Sequence, residues 1–299
     1  MIGELAALGA AVCWTVSAVL YKEALAEVKP LPANTLRCLG TSIFLILCLV
    51  LAGRFSVLTS LPAYVVFLAC ASGLIGLGLG DTLYLFSLET IGVARAVPLT
   101  CTYPLFSLVW AVLLAGENVA WHVVFAAVAI VLGIWLLSSG GKSDNNMAKL
   151  QKKVLVKGVI IALLTAVIWS ISISMVNLAM KEVSGLDYAF AINTLRIAAL
   201  AAFLLVFTPT VQRSLKIFKI KGKTLAMLLV GGIIAVGLGW FLLTLSFAYI
   251  PESQAVPISS TTPLFSTLSG IVFLREKVTV KVAIGSIMIV LGTFLIFLV

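Results

Sequence analysis

Residues 96–108 read AVPLTCTYPLFSL and residues 255–267 read AVPISSTTPLFST, eight identities in thirteen at an offset of 159. The offset extends in both directions. Asn34-Thr35-Leu36-Arg37 returns as Asn193-Thr194-Leu195-Arg196, Gly80 as Gly239, Ser87 as Ser246, Glu117 as Glu276 and Gly133 as Gly292. Near the start the offset is 155, pairing Gly3 with Gly158 and Trp14 with Trp169. The chain therefore reads as two copies of one unit, residues 1–140 and 157–299, joined by a polar basic linker at 141–156 whose Ser-Asp-Asn-Asn segment suits a flexible connection.

What each unit contains follows from composition. Of 299 residues, 62% are hydrophobic and 10% charged, and mean hydropathy is +1.21. Soluble chains carry about 45–50% apolar and about 25% charged residues. A bilayer accepts this much apolar surface where a soluble core does not. Stretches of at least sixteen residues without Asp, Glu, Lys or Arg occur at 5–21, 38–53, 55–80, 96–116, 118–141, 158–180, 197–212, 224–251, 253–274 and 282–299. Each matches or nearly matches the roughly 20 residues a helix needs to span hydrocarbon, once charged side chains snorkel at the ends. None shows the alternation of an outer-membrane barrel strand. The expected fold is all-α: an integral membrane protein of ten transmembrane helices in two five-helix repeats. The first stretch reads as a retained span rather than a signal peptide. Nothing basic precedes it, Lys22 and Glu23 interrupt the approach to Ala24-Leu25-Ala26, and the same helix recurs at 158–180.

Five is odd, so the second unit enters the membrane from the side opposite to the first. Inverted repeats are a transporter architecture, with a solute site near the bilayer midplane at the unit interface and rocking of the units exposing it alternately. The net charge of +9 does not point to nucleic acid, because Lys and Arg sit in short connections between apolar runs. Seventeen of the twenty follow odd-numbered helices. By the positive-inside rule that places both termini outside.

Trp14 and Trp169 in the first helix of each unit, Arg37 and Arg196 near the start of the second, a glycine-rich third helix, and a fourth with AVP, five residues, PLFS and a terminal Glu (96–117 and 255–276) together resemble the EamA-type branch of the drug/metabolite transporter superfamily. The likeness covers nearly the whole chain. It implies transport of small metabolites, amino acids or drugs, and, against the Lys/Arg count, two cytoplasmic termini.

Several residues are candidates for the work. Pro98, Pro104, Pro257 and Pro263 each remove a backbone donor and free a carbonyl four residues earlier. Thr100, Thr102, Tyr103, Ser259, Ser260, Thr261 and Thr262 lie beside those carbonyls. Either these segments line a cavity, or they are kinked helices whose hydroxyls bond back to their own turns. Asp81, after Gly73, Gly76, Gly78 and Gly80, reads as the carboxylate well inside an apolar stretch, and its counterpart is Trp240. It is placed either to carry a coupling proton or to pair with Arg37. Trp14 and Trp169 occupy mid-helix positions rather than interfacial belts. With Tyr84, Tyr103 and Trp240 they offer flat faces to a solute, and Asn177 adds a polar contact. Arg37, Arg196, Glu117 and Glu276 read as structural charges.

The leading reading is a secondary transporter of a small, largely uncharged or zwitterionic organic metabolite, surrounded by membrane lipid, either proton-coupled through Asp81 or a facilitator. No G-x-x-x-x-G-K-[ST] loop is present for ATP. A single histidine, His122, and five cysteines confined to the first half offer no metal site or cofactor and no intramembrane catalytic pair. An exporter of hydrophobic cations is the alternative, although small multidrug-resistance relatives place Glu midway along the first helix, where this chain has Trp14-Thr15 and Trp169-Ser170. A phosphate-sugar antiporter would want cations in the cavity, and here they are expected near span ends. A lipid-carrier flippase is the remaining alternative.

Overall fold

The computed structural model describes residues 1–24, 27–91, 96, 99–139, 152–212, 220–265, 268 and 279–297. The described residues form helices and turns with no strand. The first unit contains α1 (Ile2–Ala24), α2 (Pro30–Leu51), α3 (Ala63–Ser72), a π-helical stretch π1 (Gly73–Gly80), α4 (Asp81–Ile91), α5 (Tyr103–Leu113) and α6 (Trp121–Ser139). The second contains α7 (Lys152–Glu182), α8 (Leu186–Gln212), α9 (Gly222–Gly232), π2 (Ile233–Gly239), α10 (Trp240–Ser246), α11 (Glu252–Ser259) and α12 (Val280–Phe297).

Among the described residues, five helical stretches are long and apolar enough to cross a membrane: Pro30–Leu51, Ala63–Tyr84, Val154–Glu182, Leu186–Val211 and Gly222–Ser246. Ile2–Ser17, Tyr103–Leu113, Trp121–Leu136 and Val280–Ile296 are shorter apolar helices. The stretch expected at 253–274 lies partly outside the described residues. Helix boundaries follow local chemistry. Pro30 and Pro32 open α2, where their missing N–H groups cost no helical bond. Gly53, at φ 66°, closes it, with Gly53 N–H donating to Val50 O and Arg54 N–H to Leu49 O.

The packing inverts that of a soluble protein. Large apolar side chains such as Phe67, Phe125 and Val206 face outward, 64%, 67% and 71% exposed, while small and hydroxyl residues such as Ala10, Ala69, Ser72, Ala166, Ser172 and Ala191 are buried. Small residues let helix backbones approach, which is how helices associate where surroundings are as apolar as the side chains. The units interlock. Helix α1 packs on π2 and α10, and α7 on α3, π1 and α4. Helices α2 and α8 pack on each other, as do α6 and α12. At the last pair a Cβ on Gly133 would come within 2.7 Å of Gly285 O, and one on the repeat-related Gly292 within 2.9 Å of Ala126 O. Only glycine fits either crossing.

The third helix of each unit carries the π stretch. A π turn displaces carbonyls from their regular partners, and a repeat-matched asparagine supplies donors. Asn34 Nδ2 donates to Leu77 O at 3.3 Å, and Asn193 Nδ2 donates to Val236 O at 3.2 Å and Gly237 O at 2.9 Å. The fourth helix breaks at matched places too: turns at Cys101–Thr102 and Ser260–Thr261 precede Pro104 and Pro263. Pro98, Arg95 and Glu276 lie outside the described residues.

Candidate functional site

Two matched clusters meet where the units interlock. In the first, Trp169 on α7 crosses the unit boundary to the start of α4. A Cβ on Gly80 would lie 2.6 Å from its ring, so glycine admits the indole. The Trp169 Nε1–H donates to Asp81 Oδ1 at 3.1 Å, and the ring meets Tyr84 at 5.2 Å and Tyr103, edge-on, at 6.2 Å between centroids. Asp81 Oδ2 accepts from Arg37 Nη2 at 2.6 Å, with both side chains about one-sixth exposed. Arg37 Nε donates to Asn34 Oδ1 at 2.8 Å, and its guanidinium lies 5.0 Å over the Tyr21 ring. The Asp81 charge is thus held by a cation and an indole donor.

In the second cluster, Trp14 on α1 crosses to π2 and α10. A Cβ on Gly239 would lie 2.8 Å from its Nε1. That N–H donates to Ala235 O at 3.2 Å, and the ring meets Trp240 edge-on at 5.4 Å. Trp240 stands where the first unit has Asp81, and the guanidinium of Arg196 lies 3.8 Å over its ring. Arg196 is fully buried and donates from Nη2 to Ser172 Oγ at 2.9 Å. Ser172 in turn donates to Ser72 O at 2.8 Å. Nε and Nη1 of Arg196 have no hydrogen-bond partner among the described residues.

The two arginines are deeper than the sequence suggests. Arg37 is seven residues into α2, and Arg196 ten residues into α8, about 15 Å along the axis at 1.5 Å per residue. Counting from uncharged stretches started that helix at 197, because a charged residue was used as its boundary. The expectation that cations keep to span ends fails at Arg196.

The proline-flanked hydroxyls are engaged with their own turns. Thr102 Oγ1 donates to Leu99 O at 2.6 Å, Ser259 Oγ to Val256 O at 2.9 Å, Ser260 Oγ to Pro257 O at 2.7 Å, Thr261 Oγ1 to Ile258 O at 2.7 Å and Thr262 Oγ1 to Ser259 O at 3.3 Å. This is the back-bonding that bends helices. Thr100 is buried, and Tyr103 lies beside Ser259. Thr15 Oγ1 donates to Thr262 O at 3.2 Å, tying α1 to the break in the other unit.

Asn177 is elsewhere. Its Nδ2 donates to Glu252 Oε2 at 3.0 Å and lies 3.3 Å from Glu117 Oε1, while Ser174 Oγ donates to Glu252 Oε1. Glu117 accepts the N–H groups of Glu252 at 3.0 Å and Ser253 at 3.1 Å, capping α11. An open pocket of about 400 Å³ adjoins it, lined by Val112, Glu117, Asn118, Val119 and Ala120. Sequence reading missed Glu252, which is fully buried. The signal was present: it is the single charge separating the apolar runs 224–251 and 253–274.

Broken fourth helices, π-helical third helices and reciprocally placed indoles thus recur in both units. The EamA-like transporter family model matches residues 1–139 and 156–298. The chain belongs to the EamA-like transporter family. This EamA-like transporter is a multi-pass membrane protein. It is 23% identical to an uncharacterized transporter of Archaeoglobus fulgidus over 298 residues, covering 100% of this chain and 99% of that one. A solved crystal structure shares its fold at a TM-score of 0.76 and 20% identity, covering 99% of this chain and 97% of that one.

Proposed function

We propose that this EamA-like transporter is a secondary carrier of a small organic metabolite, amino acid-like or otherwise largely uncharged or zwitterionic, working by alternating access. In this reading the units 1–140 and 157–299 are inverted five-helix repeats, ten spans in all, and the solute meets the protein between them. The observation that carries it is the reciprocal exchange of indoles: Trp14 seats on Gly239 of the second unit, and Trp169 on Gly80 of the first. Each unit thereby supplies an aromatic wall to the other's third helix, so rocking of the units separates or joins both walls together.

Asp81 is the coupling residue in the proton-driven version of this cycle. A proton on its carboxyl cancels the charge that holds Arg37, loosening α2 from α4. A facilitator lacks that step. The test is reconstitution in vesicles with radiolabelled amino acids and small metabolites, with and without an imposed pH gradient. Saturable uptake that Trp14→Ala and Trp169→Ala weaken supports the carrier. Uptake indistinguishable from protein-free vesicles for every solute overturns it.

A further inference from the structure

Among the described residues, Arg196 is a fully buried cation that the fold leaves partly unsatisfied. A guanidinium has five N–H donors and no way to shed its charge. Nε and Nη1 hold three of the five, and they lack an acceptor among the described residues. Its repeat partner Arg37 has Asp81 and Asn34. At the position matching Asp81 the second unit has Trp240, which offers a ring face at 3.8 Å but no hydrogen-bond acceptor. The Asp81 carboxylate, already paired with Arg37, acts on Arg196 only through space, and a buried cation with no anion in contact costs several kcal/mol.

The location says when that cost is relieved. Arg196 belongs to the second unit, and the first unit covers it. A Cβ on Gly73 would lie 2.2 Å from the Arg196 carbonyl oxygen and 3.0 Å from its Cγ, and one on Gly76 would lie 3.3 Å from its Nη2. The guanidinium therefore sits under π1 at the unit boundary, the surface that opens when the units rock. The Trp240 ring that the guanidinium covers meets Trp14 edge-on at 5.4 Å, an aromatic pair suited to an apolar body.

We infer that Arg196 binds a carboxylate group of the transported solute, with the apolar part of that solute against Trp240 and Trp14. A carboxylate accepts charge-assisted hydrogen bonds from the open N–H groups, with Nη1 and the second hydrogen of Nη2 forming the end-on fork, a planar geometry arginine offers and lysine does not. The inference rests on the carrier reading and narrows its substrate class to carboxylates: α-amino acids or simple monocarboxylates.

The test uses purified full-length protein in detergent and three matched pairs: acetate and acetamide, benzoate and benzamide, L-leucine and L-leucinamide. Thermal unfolding is followed together with tryptophan fluorescence, since drawing the guanidinium off the Trp240 ring changes that signal. A carboxylate is expected to raise the Tm saturably while its amide does not. Arg196→Gln is expected to weaken that carboxylate at least about tenfold, with Arg196→Lys in between. Stabilisation by benzoate or acetate assigns a simple monocarboxylate, and by L-leucine alone an amino acid. The inference is overturned if each amide matches its carboxylate, or if no carboxylate shifts either the Tm or the fluorescence. The fluorescence titration of the unsubstituted protein keeps the test decisive where Arg196→Gln fails to fold. Vesicle uptake separates the two readings: uptake of a neutral solute unaffected by Arg196→Gln leaves the carrier standing and removes the carboxylate site. Carboxylate binding without uptake of any solute does the reverse.

Discussion

Arg37 and Arg196 stand at matched positions 159 residues apart, yet Arg37 donates to Asp81 at 2.6 Å while Arg196 lies 3.8 Å over the ring of Trp240. The repeat has kept both cations and paired only one. The first unit closes its charge internally, so removing one member of that pair leaves a poorly solvated charge behind. Arg37→Met is expected to lower stability by about 3–5 kcal/mol, and Arg37→Met with Asp81→Asn to recover part of that loss. Denaturation in detergent of the two single variants and the double variant measures it. Additive losses would show that the pair is not coupled.

The same pair bears on energetics of transport. Asp81→Asn is expected to abolish accumulation driven by a pH gradient while solute exchange at equal concentrations continues. Gradient-driven uptake by Asp81→Asn at the unsubstituted rate would leave the pair a structural one and the protein a facilitator.

Gly80 and Gly239 admit the indoles of Trp169 and Trp14, with a built Cβ at 2.6 Å and 2.8 Å. Gly80→Ala and Gly239→Ala each force a ring or a helix to move, an overpacking cost of about 1–3 kcal/mol. Trp169→Phe keeps most of the ring area and removes the donor to Asp81, costing about 1–3 kcal/mol through an unmet carboxylate oxygen. Thermal unfolding of the three variants ranks these effects. A stability equal to the unsubstituted protein in all three would deny the close seating.

Glu117 takes the first N–H groups of α11 from across the unit boundary. Glu117→Ala is expected to cost about 0.5–2 kcal/mol, the range for loss of a helix cap, and Glu117→Gln less, since its amide oxygen still accepts. An equal loss in both would assign the stabilisation to charge rather than to capping.

By the positive-inside rule, the distribution of Lys and Arg predicts that both termini lie outside. Labelling a cysteine added after Val299, in a variant lacking the five natural cysteines, is expected to occur in intact cells with a membrane-impermeant reagent. Labelling only after lysis reverses the orientation.

Much of this arrangement was legible because the repeat acts as an internal comparison. Asn34 and Asn193, Trp14 and Trp169, and the broken fourth helices all recur at fixed offsets and take matched places in both units, although the Trp169 N–H meets the Asp81 carboxylate and the Trp14 N–H the Ala235 carbonyl. What was not legible came from treating charges as boundaries. Arg196 and Glu252 marked the ends of apolar runs in the sequence, yet α8 begins ten residues before Arg196, and Glu252 opens α11 in full burial. A hydropathy boundary records composition, and says nothing of a partner supplied from another helix. The hydroxyls beside the prolines were ambiguous for a related reason: a Ser or Thr lining a cavity and one bonded to its own preceding turn look alike in sequence.

Alternating access at the unit interface is tested most directly at Tyr103 and Thr262, which are matched by the repeat and flank the breaks in the two fourth helices. Tyr103→Cys and Thr262→Cys, each in the cysteine-free variant, are labelled in sealed vesicles by an impermeant maleimide from one face and then from the other. The expected result is access from opposite faces, changing in opposite directions when a transported solute is added. Access of both positions from the same face, unchanged by any solute, would contradict it.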